Sequence, residues 1–161
     1  MNCYHPGVRV LGIDYGARRV GLAVSDVTGL LARPLKTLDR SRLGSDAALV
    51  DAVLVAVAEM SSEDEPFGAI VVGLPRRLDG SPNDQTPKVE AFVTRLAGRT
   101  SLPVVLQDER LTSVEAESRL AMKEKDWRRR KQMLDAAAAA VMLQDFLDAH
   151  RPAQVADSDL P

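Results

Sequence analysis

Residues 8–25 read VRVLGIDYGARRVGLAVS, two apolar runs on either side of the turn Gly16–Arg19. Each run has the length of a strand and is interrupted by glycine and charged residues. Because so short a turn joins antiparallel strands, the stretch predicts a β-hairpin made of Val8–Asp14 and Val20–Ser25. After a second turn, the run Leu31–Leu38 extends this hairpin into a three-stranded antiparallel meander.

After the meander the sequence alternates between helical and strand patterns. A helix is expected over Ser45–Met60, and the continuous apolar run Phe67–Gly73 is typical of a buried parallel strand. The other predicted elements are a helix over Pro87–Leu96, a strand over Leu102–Leu106, and helices over Thr112–Met122 and from about Gln132 to Ala149. This order predicts an α/β fold with one mixed five-stranded sheet, the antiparallel meander plus parallel strands, and helices on both faces.

Length and composition indicate one globular domain. The 161 residues are 45% hydrophobic and 27% charged, which is enough apolar material for one packed core. No internal repeat or change in composition divides the chain, so we expect a single domain over 1–161 with a core at about 8–149 and short flexible tails. One cysteine, no signal-peptide pattern and no long apolar run predict a cytoplasmic protein without a membrane partner.

Several enzyme classes lack their motifs in this sequence. It contains no phosphate-binding loop of nucleotide hydrolases, no dinucleotide-binding glycine pattern and no serine-hydrolase elbow. The two histidines, His5 and His150, lie in the tails without the spacing of a zinc site.

Three carboxylates occupy positions from which they could meet. Asp14 and Glu109 each follow a predicted core strand, and Asp135 begins the alanine-rich stretch Asp135–Leu143. Acids at the carboxyl ends of strands lie at the edge of a sheet where α/β proteins collect functional groups. The small alanines allow close approach of helix to sheet, which would bring Asp135 to the same edge. Each acid alone has an ordinary explanation, such as a turn cap or, for Asp135, a helix-dipole contact of about 0.3–1 kcal/mol.

A cluster of these three acids predicts a metal centre. Like charges a few ångströms apart repel, and divalent cations relieve that repulsion. Oxygen ligands without a histidine or cysteine cage favour Mg²⁺ or Mn²⁺, and such centres hydrolyse phosphodiesters. Asp14, Glu109 and Asp135 are therefore the predicted catalytic and metal-binding residues.

Basic residues are concentrated in a few places, although the net charge is −2. The segment Lys123–Lys131 holds six basic and two acidic residues. A solvated helix face explains such a run, but its place just before the Asp135 helix favours contact with nucleic-acid phosphates. The exit of the fourth predicted strand, Gly73–Pro75, is a candidate lip of the site, with Arg76, Arg77 and Asn83 after it available to a substrate backbone. The predicted phosphate-binding residues are Arg18, Arg19, Arg76, Arg110, Arg128, Arg129, Arg130 and Lys131.

Four short blocks of the sequence, spread over about residues 8–149, form a recognisable set. They are LGIDYG with RRVGLA at 11–23, VVGLP at 71–75, DERLTS at 108–113, and Asp135–Ala136 leading into AVMLQ at 140–144. In this order they resemble the YqgF (RuvX) family of pre-16S rRNA nucleases, which are related to Holliday junction resolvases. The resemblance implies an RNase H-like fold and a metal-binding catalytic triad of Asp14, Glu109 and Asp135. It also implies a bacterial cytoplasmic role in maturing the 5′ end of 16S rRNA, with pre-rRNA as the nucleic-acid partner.

Three other functions stay open at this point. The first is a resolvase of four-way DNA junctions, which would need a homodimer to cut two strands symmetrically. The second is a non-catalytic module that binds RNA or the ribosome. The third, a sugar-kinase-like ATPase domain, is disfavoured because the chain is too short for a second lobe. The residues also leave open whether RNA, branched DNA or single-stranded DNA is the substrate, and whether the protein is a monomer or a homodimer.

Overall fold

The computed structural model describes residues 7–109 and 127–151, whose strands form one five-stranded sheet. The elements in chain order are β1 (Arg9–Tyr15), β2 (Arg19–Ser25), β3 (Ala32–Asp39), α1 (Arg40–Leu43), α2 (Asp46–Met60), β4 (Phe67–Leu74), α3 (Thr86–Ala97), β5 (Val104–Asp108) and α4 (Trp127–Ala149). The predicted helix Thr112–Met122 lies outside the described residues. None of the described helices has the length and apolar character needed to cross a membrane.

The strand order in the sheet is β3-β2-β1-β4-β5. β1 pairs antiparallel with β2, and β2 pairs antiparallel with β3. β4 pairs parallel with both β1 and β5. The predicted meander and its parallel extension are therefore confirmed, and the carboxyl ends of β1, β4 and β5 lie along one edge of the sheet.

Alternate residues of each strand face opposite helical layers. Leu11 and Ile13 belong to the core that α2 and α3 cover, with Phe92 of α3 among its buried members. Val10 belongs to the core on the other face, where Leu143 of α4 packs. Because strand side chains alternate with a period of two, Asp14 lies on the same face as Val10, under α4.

Two glycines let α4 lie directly on the sheet. A Cβ atom at Gly12 would be 2.9 Å from Cβ of Leu143, and one at Gly21 would overlap the carbonyl oxygen of Asp135. On the helix side, small residues such as Ala136 and Ala139 are buried at this contact. The predicted close approach of the alanine-rich helix to the sheet is confirmed.

Helix α4 begins earlier than the sequence predicts. The sequence predicts a start at about Gln132, whereas the helix begins at Trp127. The arginines and lysine between these residues are good helix formers, so the helix continues through them. Asp135 consequently lies in the third helical turn, and the helix-dipole explanation of this residue is wrong.

We expect Gly21→Ala to lower the free energy of unfolding by about 3 kcal/mol, because the new methyl group would overlap helix backbone that cannot rotate away. Urea unfolding measures the change. Gly98→Ala is the matched control, since the nearest atoms to a Cβ there are 3.6 Å away. Equal stability of the two variants would contradict the close contact between Gly21 and α4.

Candidate active site

Asp14 and Glu109 reach the same face of the sheet from strands that β4 separates. Asp14 is four residues after Val10, and Glu109 is four residues after Val105, and both valines pack in the layer of α4. Side-chain alternation therefore directs both acids to that face. The backbone N–H of Glu109 donates to the carbonyl of Leu74 at 3.2 Å, which continues the β4–β5 pairing past the end of β5. The two carboxyl groups are hydrogen-bonded to each other.

Gly73 of β4 lies beneath the carboxyl group of Glu109. A Cβ atom at position 73 would be 2.7 Å from Cδ of Glu109 and 2.8 and 2.9 Å from its two oxygens. The space that a side chain would fill is occupied by the carboxyl that contacts Asp14. The sequence predicts Gly73 at the lip of the site, and a glycine inside a strand also indicates close approach of another group.

Asp135 is contributed by α4. Its backbone carbonyl rests on Gly21, which is the β2 residue paired with Asp14. Its negative charge acts on Asp14, and its Oδ2 accepts a hydrogen bond from Nε of Arg19 at 2.7 Å. The structure thus brings Asp14 and Glu109 into contact and places Asp135 near enough for its charge to act on Asp14. It also gives Arg19 a carboxylate partner within the protein.

The acids perturb one another's protonation. Burial raises the pKa of Asp14, the hydrogen bond from Glu109 lowers it and the charge of Asp135 raises it, with a net upward shift. Burial first, then the negative charge of Asp14 and the hydrogen bond to it, raise the pKa of Glu109 to about 10. The raised pKa of Glu109 favours a protonated Glu109 carboxyl that donates its hydrogen bond to Asp14.

The negative charge of the site is reduced within the protein. Glu109 keeps a proton and Asp135 is paired with Arg19. Across residues 7–109 and 127–151, no group of three or more His, Cys, Asp or Glu side chains is already arranged to hold a metal ion. The donor atoms that the three acids offer are all carboxylate oxygens, and this donor set fits a hard divalent cation such as Mg²⁺ or Mn²⁺.

The predicted phosphate-binding residues have different surroundings. Arg18, Arg76 and Arg129 are exposed, and Arg76 donates from Nη1 to the carbonyl of Gly80 at 3.3 Å. Arg19 is engaged by Asp135. Arg110 lies outside the described residues, as do the side chains of Arg128, Arg130 and Lys131.

Asn83 has a structural role in the loop that leaves β4. Its Oδ1 accepts the backbone N–H of Gln85 at 2.9 Å and that of Thr86 at 3.1 Å. Oγ1 of Thr86 donates to the carbonyl of Pro75 at 2.6 Å. These bonds hold the loop that leaves β4 against the start of α3, because the unpaired N–H groups of a helix start need acceptors.

Arg40 holds the turn between β1 and β2, a function that the sequence did not indicate. Its Nη1 donates to the carbonyls of Gly16 and Ala17 at 3.3 and 3.1 Å. Nη2 donates to Oδ1 of Asp46 at 2.8 Å, and the guanidinium lies 4.5 Å from the centre of the Tyr15 ring. The turn that follows Asp14 is therefore fixed by a residue beyond the third strand.

Sequence comparison now decides the family. A family model described as "RuvX: Holliday junction resolvase" matches residues 8–149. The chain belongs to the RuvX family. A curated relative from Crocosphaera subtropica, named "Putative pre-16S rRNA nuclease", is 37% identical over 144 residues, covering 89% of this chain and 95% of the relative. A relative of the same name from Thermoanaerobacter pseudethanolicus is 35% identical over 146 residues, covering 89% and 99%. The resemblance drawn from the four blocks is confirmed.

The fold is shared with a solved structure. T. thermophilus RuvC in complex with a Holliday junction substrate matches this RuvX chain with a TM-score of 0.50 and 21% identity. The match covers 88% of this chain and 94% of RuvC. The predicted RNase H-like fold is confirmed.

The raised pKa of Glu109 predicts how stability depends on pH without metal. Above the ordinary value of 4.5 the unfolded chain loses this proton, whereas the folded chain keeps it up to about 10. The unfolded state then binds fewer protons, so the free energy of unfolding falls as pH rises through this window. Glu109→Gln, whose amide can donate to Asp14 at every pH, should be more stable than the parent at high pH by about 1 kcal/mol or more, the equivalent of one pKa unit.

Urea unfolding in EDTA, at about pH 6 and about pH 9, measures this effect. Glu90→Gln, at an exposed position on α3, is the matched control and should follow the parent protein. An unchanged pH dependence in Glu109→Gln would contradict the raised pKa of Glu109.

Proposed function

We propose that this RuvX-family protein is a divalent-metal-dependent nuclease that hydrolyses phosphodiester bonds in the processing of the pre-16S rRNA 5′ end. The observation that supports the chemistry is the contact between Asp14 and Glu109 beside Asp135, at the carboxyl ends of the strands. The names of the curated relatives support the choice of substrate. Action on rRNA precursors agrees with a cytoplasmic location and with a single nuclease domain over about 8–149.

Asp14, Glu109 and Asp135 are the proposed catalytic and metal-binding residues. Bound Mg²⁺ or Mn²⁺ would supply an activated water and stabilise the leaving oxygen of the phosphodiester. The protein's own part is to hold three carboxylates against their mutual repulsion. Glu109 must release its proton before both of its oxygens can act as ligands, so cation binding is coupled to proton release.

The basic segment supports nucleic-acid binding beside these acids. Near its C-terminal end α4 contacts Gly12 through Leu143, and nearer its N-terminal end it contacts Gly21 through Asp135. Because Gly21 is paired with Asp14, the N-terminal part of α4 points towards the edge of the sheet that holds the acids. The eight residues before Asp135 continue in that direction for about 12 Å. They include the proposed phosphate-binding residues Arg128, Arg129, Arg130 and Lys131, to which we add Arg18, Arg76 and Arg110.

The second candidate function is resolution of four-way DNA junctions, which the description of the matching family model favours. Symmetric cutting of a junction needs two active sites and hence a homodimer, whereas cleavage of one RNA strand needs one site. A cleavage screen on pre-16S rRNA, single-stranded DNA and junction DNA, together with the mass in solution, separates the two functions. Cleavage of junctions by a dimer that ignores RNA would establish the second.

Asp14→Asn should reduce cleavage of pre-16S rRNA in Mg²⁺ or Mn²⁺ by about 100-fold or more, because a carboxylate central to the charged site is lost. Rates of product formation measure the change. Asp64→Asn, in an exposed loop before β4, is the matched control and should cleave as the parent does. Cleavage by Asp14→Asn at the parental rate would refute the mechanism. Binding in EDTA without any cleavage in Mn²⁺ would identify a non-catalytic RNA-binding module.

Arg18 and Arg19 should affect different kinetic parameters. Arg18 is exposed, so Arg18→Ala should raise KM and reduce the salt dependence of binding by about one phosphate contact. Arg19 holds Asp135, so Arg19→Ala should lower kcat with less effect on KM. Steady-state kinetics at several salt concentrations tests both variants. Identical effects of the two substitutions would show that Arg19 acts as a phosphate ligand.

A further inference from the structure

We propose that Gly73 is a positioning residue of this nuclease, because the missing side chain is what allows Glu109 to reach Asp14. The inference rests on the proposed function, since it concerns the geometry of the same acids. β4 contributes no acid to the site. Its part is to have no side chain at position 73, and this requirement comes from the position of Glu109 and not from folding.

The strand order requires the side chain of Glu109 to cross over β4 to reach Asp14. β4 lies between β1 and β5, so the backbones that carry Asp14 and Glu109 are about 10 Å apart. Glu109 must therefore extend sideways over β4 to form its hydrogen bond. The atoms it passes over belong to Gly73, where a Cβ would stand 2.7 Å from Cδ of Glu109.

The backbone gives no other reason for glycine at this position. The glycines with positive φ in the described residues are Gly7, Gly29, Gly44 and Gly80, so Gly73 has a conformation open to any residue. It lies inside a regular strand and is paired with Gln107 of β5. Alanine would fit this backbone and would lower the conformational entropy of the unfolded chain.

A methyl group added at Gly73 and one added at Gly21 would contact different kinds of atom. At Gly21 it would meet the helix backbone, which cannot give way. At Gly73 its three nearest neighbours are the carboxyl atoms of Glu109, at the end of a flexible side chain. That carboxyl can retreat by about 1 Å to an ordinary contact distance without unfolding the protein, but it then leaves Asp14. Gly21 is therefore needed for the packing of α4 on the sheet, whereas Gly73 is needed for the position of the Glu109 carboxyl.

The test compares Gly73→Ala with Gly98→Ala in the full chain. For Gly73→Ala we expect a smaller fall in the urea midpoint in EDTA than for Gly21→Ala, because only the hydrogen bond between Glu109 and Asp14 is lost. We also expect a kcat on pre-16S rRNA lower by about 100-fold with little change in KM. Calorimetric titration with Mn²⁺ should show an affinity lower by about 10-fold. Gly98→Ala, with no atom closer than 3.6 Å to the new Cβ, should match the parent in all three measurements.

A double variant tests whether the effect passes through Glu109. In the Glu109→Gln background, Gly73→Ala should lower the Mn²⁺ affinity much less than it does in the parent, because the displaced carboxylate is already absent. Equal losses in both backgrounds would overturn the inference, as would a fall in the urea midpoint like that of Gly21→Ala.

The proposed function and this inference fail in different ways. If the parent cleaves, Asp14→Asn does not, and Gly73→Ala cleaves at the parental rate, the inference alone is wrong. If the parent and Asp14→Asn cleave equally, the proposed function is wrong. If the parent does not cleave any substrate, the Mn²⁺ affinities of the single and double variants still decide the role of Gly73.

Discussion

The direct contact of α4 with the sheet is the constraint on which the site depends. Asp135 lies in the middle of this helix, so its distance from Asp14 is set by how closely the helix packs. Glycines on the strands and alanines on the helix remove the side chains that would hold the two apart. At the other end, Gln144 accepts the N–H of Ala32 and donates to the carbonyl of Leu30, both at 2.9 Å. The helix is thereby held along its length against β2 and β3.

The second constraint is electrostatic. Three acids at one edge of a sheet repel, and the folded protein reduces the repulsion with a proton on Glu109 and with Arg19 beside Asp135. Glu109 loses its proton at high pH, and the charge of Asp135 is balanced by Arg19. The repulsion that remains lowers the stability of the folded protein. This is the usual conflict between stability and a charged functional site. Here it is confined to the face of the sheet that α4 covers.

The structure also separates two uses of glycine that look alike in the sequence. Gly12 and Gly21 allow a helix to approach, so they belong to the packing of the core. Gly73 allows a carboxylate to cross a strand, so it belongs to the chemistry of the site. A pattern of glycines in strands indicates close approach in all three cases. The atoms that make the approach can be identified only from the tertiary structure.

The sequence by itself determined the strand order of the meander, the mixed sheet and the family, and it singled out Asp14 and Glu109, which the structure brings into contact. The fold and the acids follow from local patterns: a period of two in the strands, short turns, and acids at strand ends. The family follows from four short blocks in a fixed order. The tertiary structure alone decided that Arg19 pairs with Asp135, 116 positions away, that Arg40 fixes the turn after β1, and that Glu109 crosses Gly73. It also decided where α4 begins, because a run of basic residues carries no apolar periodicity that marks a helix start. Contacts between distant segments leave no periodic signal in the chain, since they follow from how the helix and the strands pack.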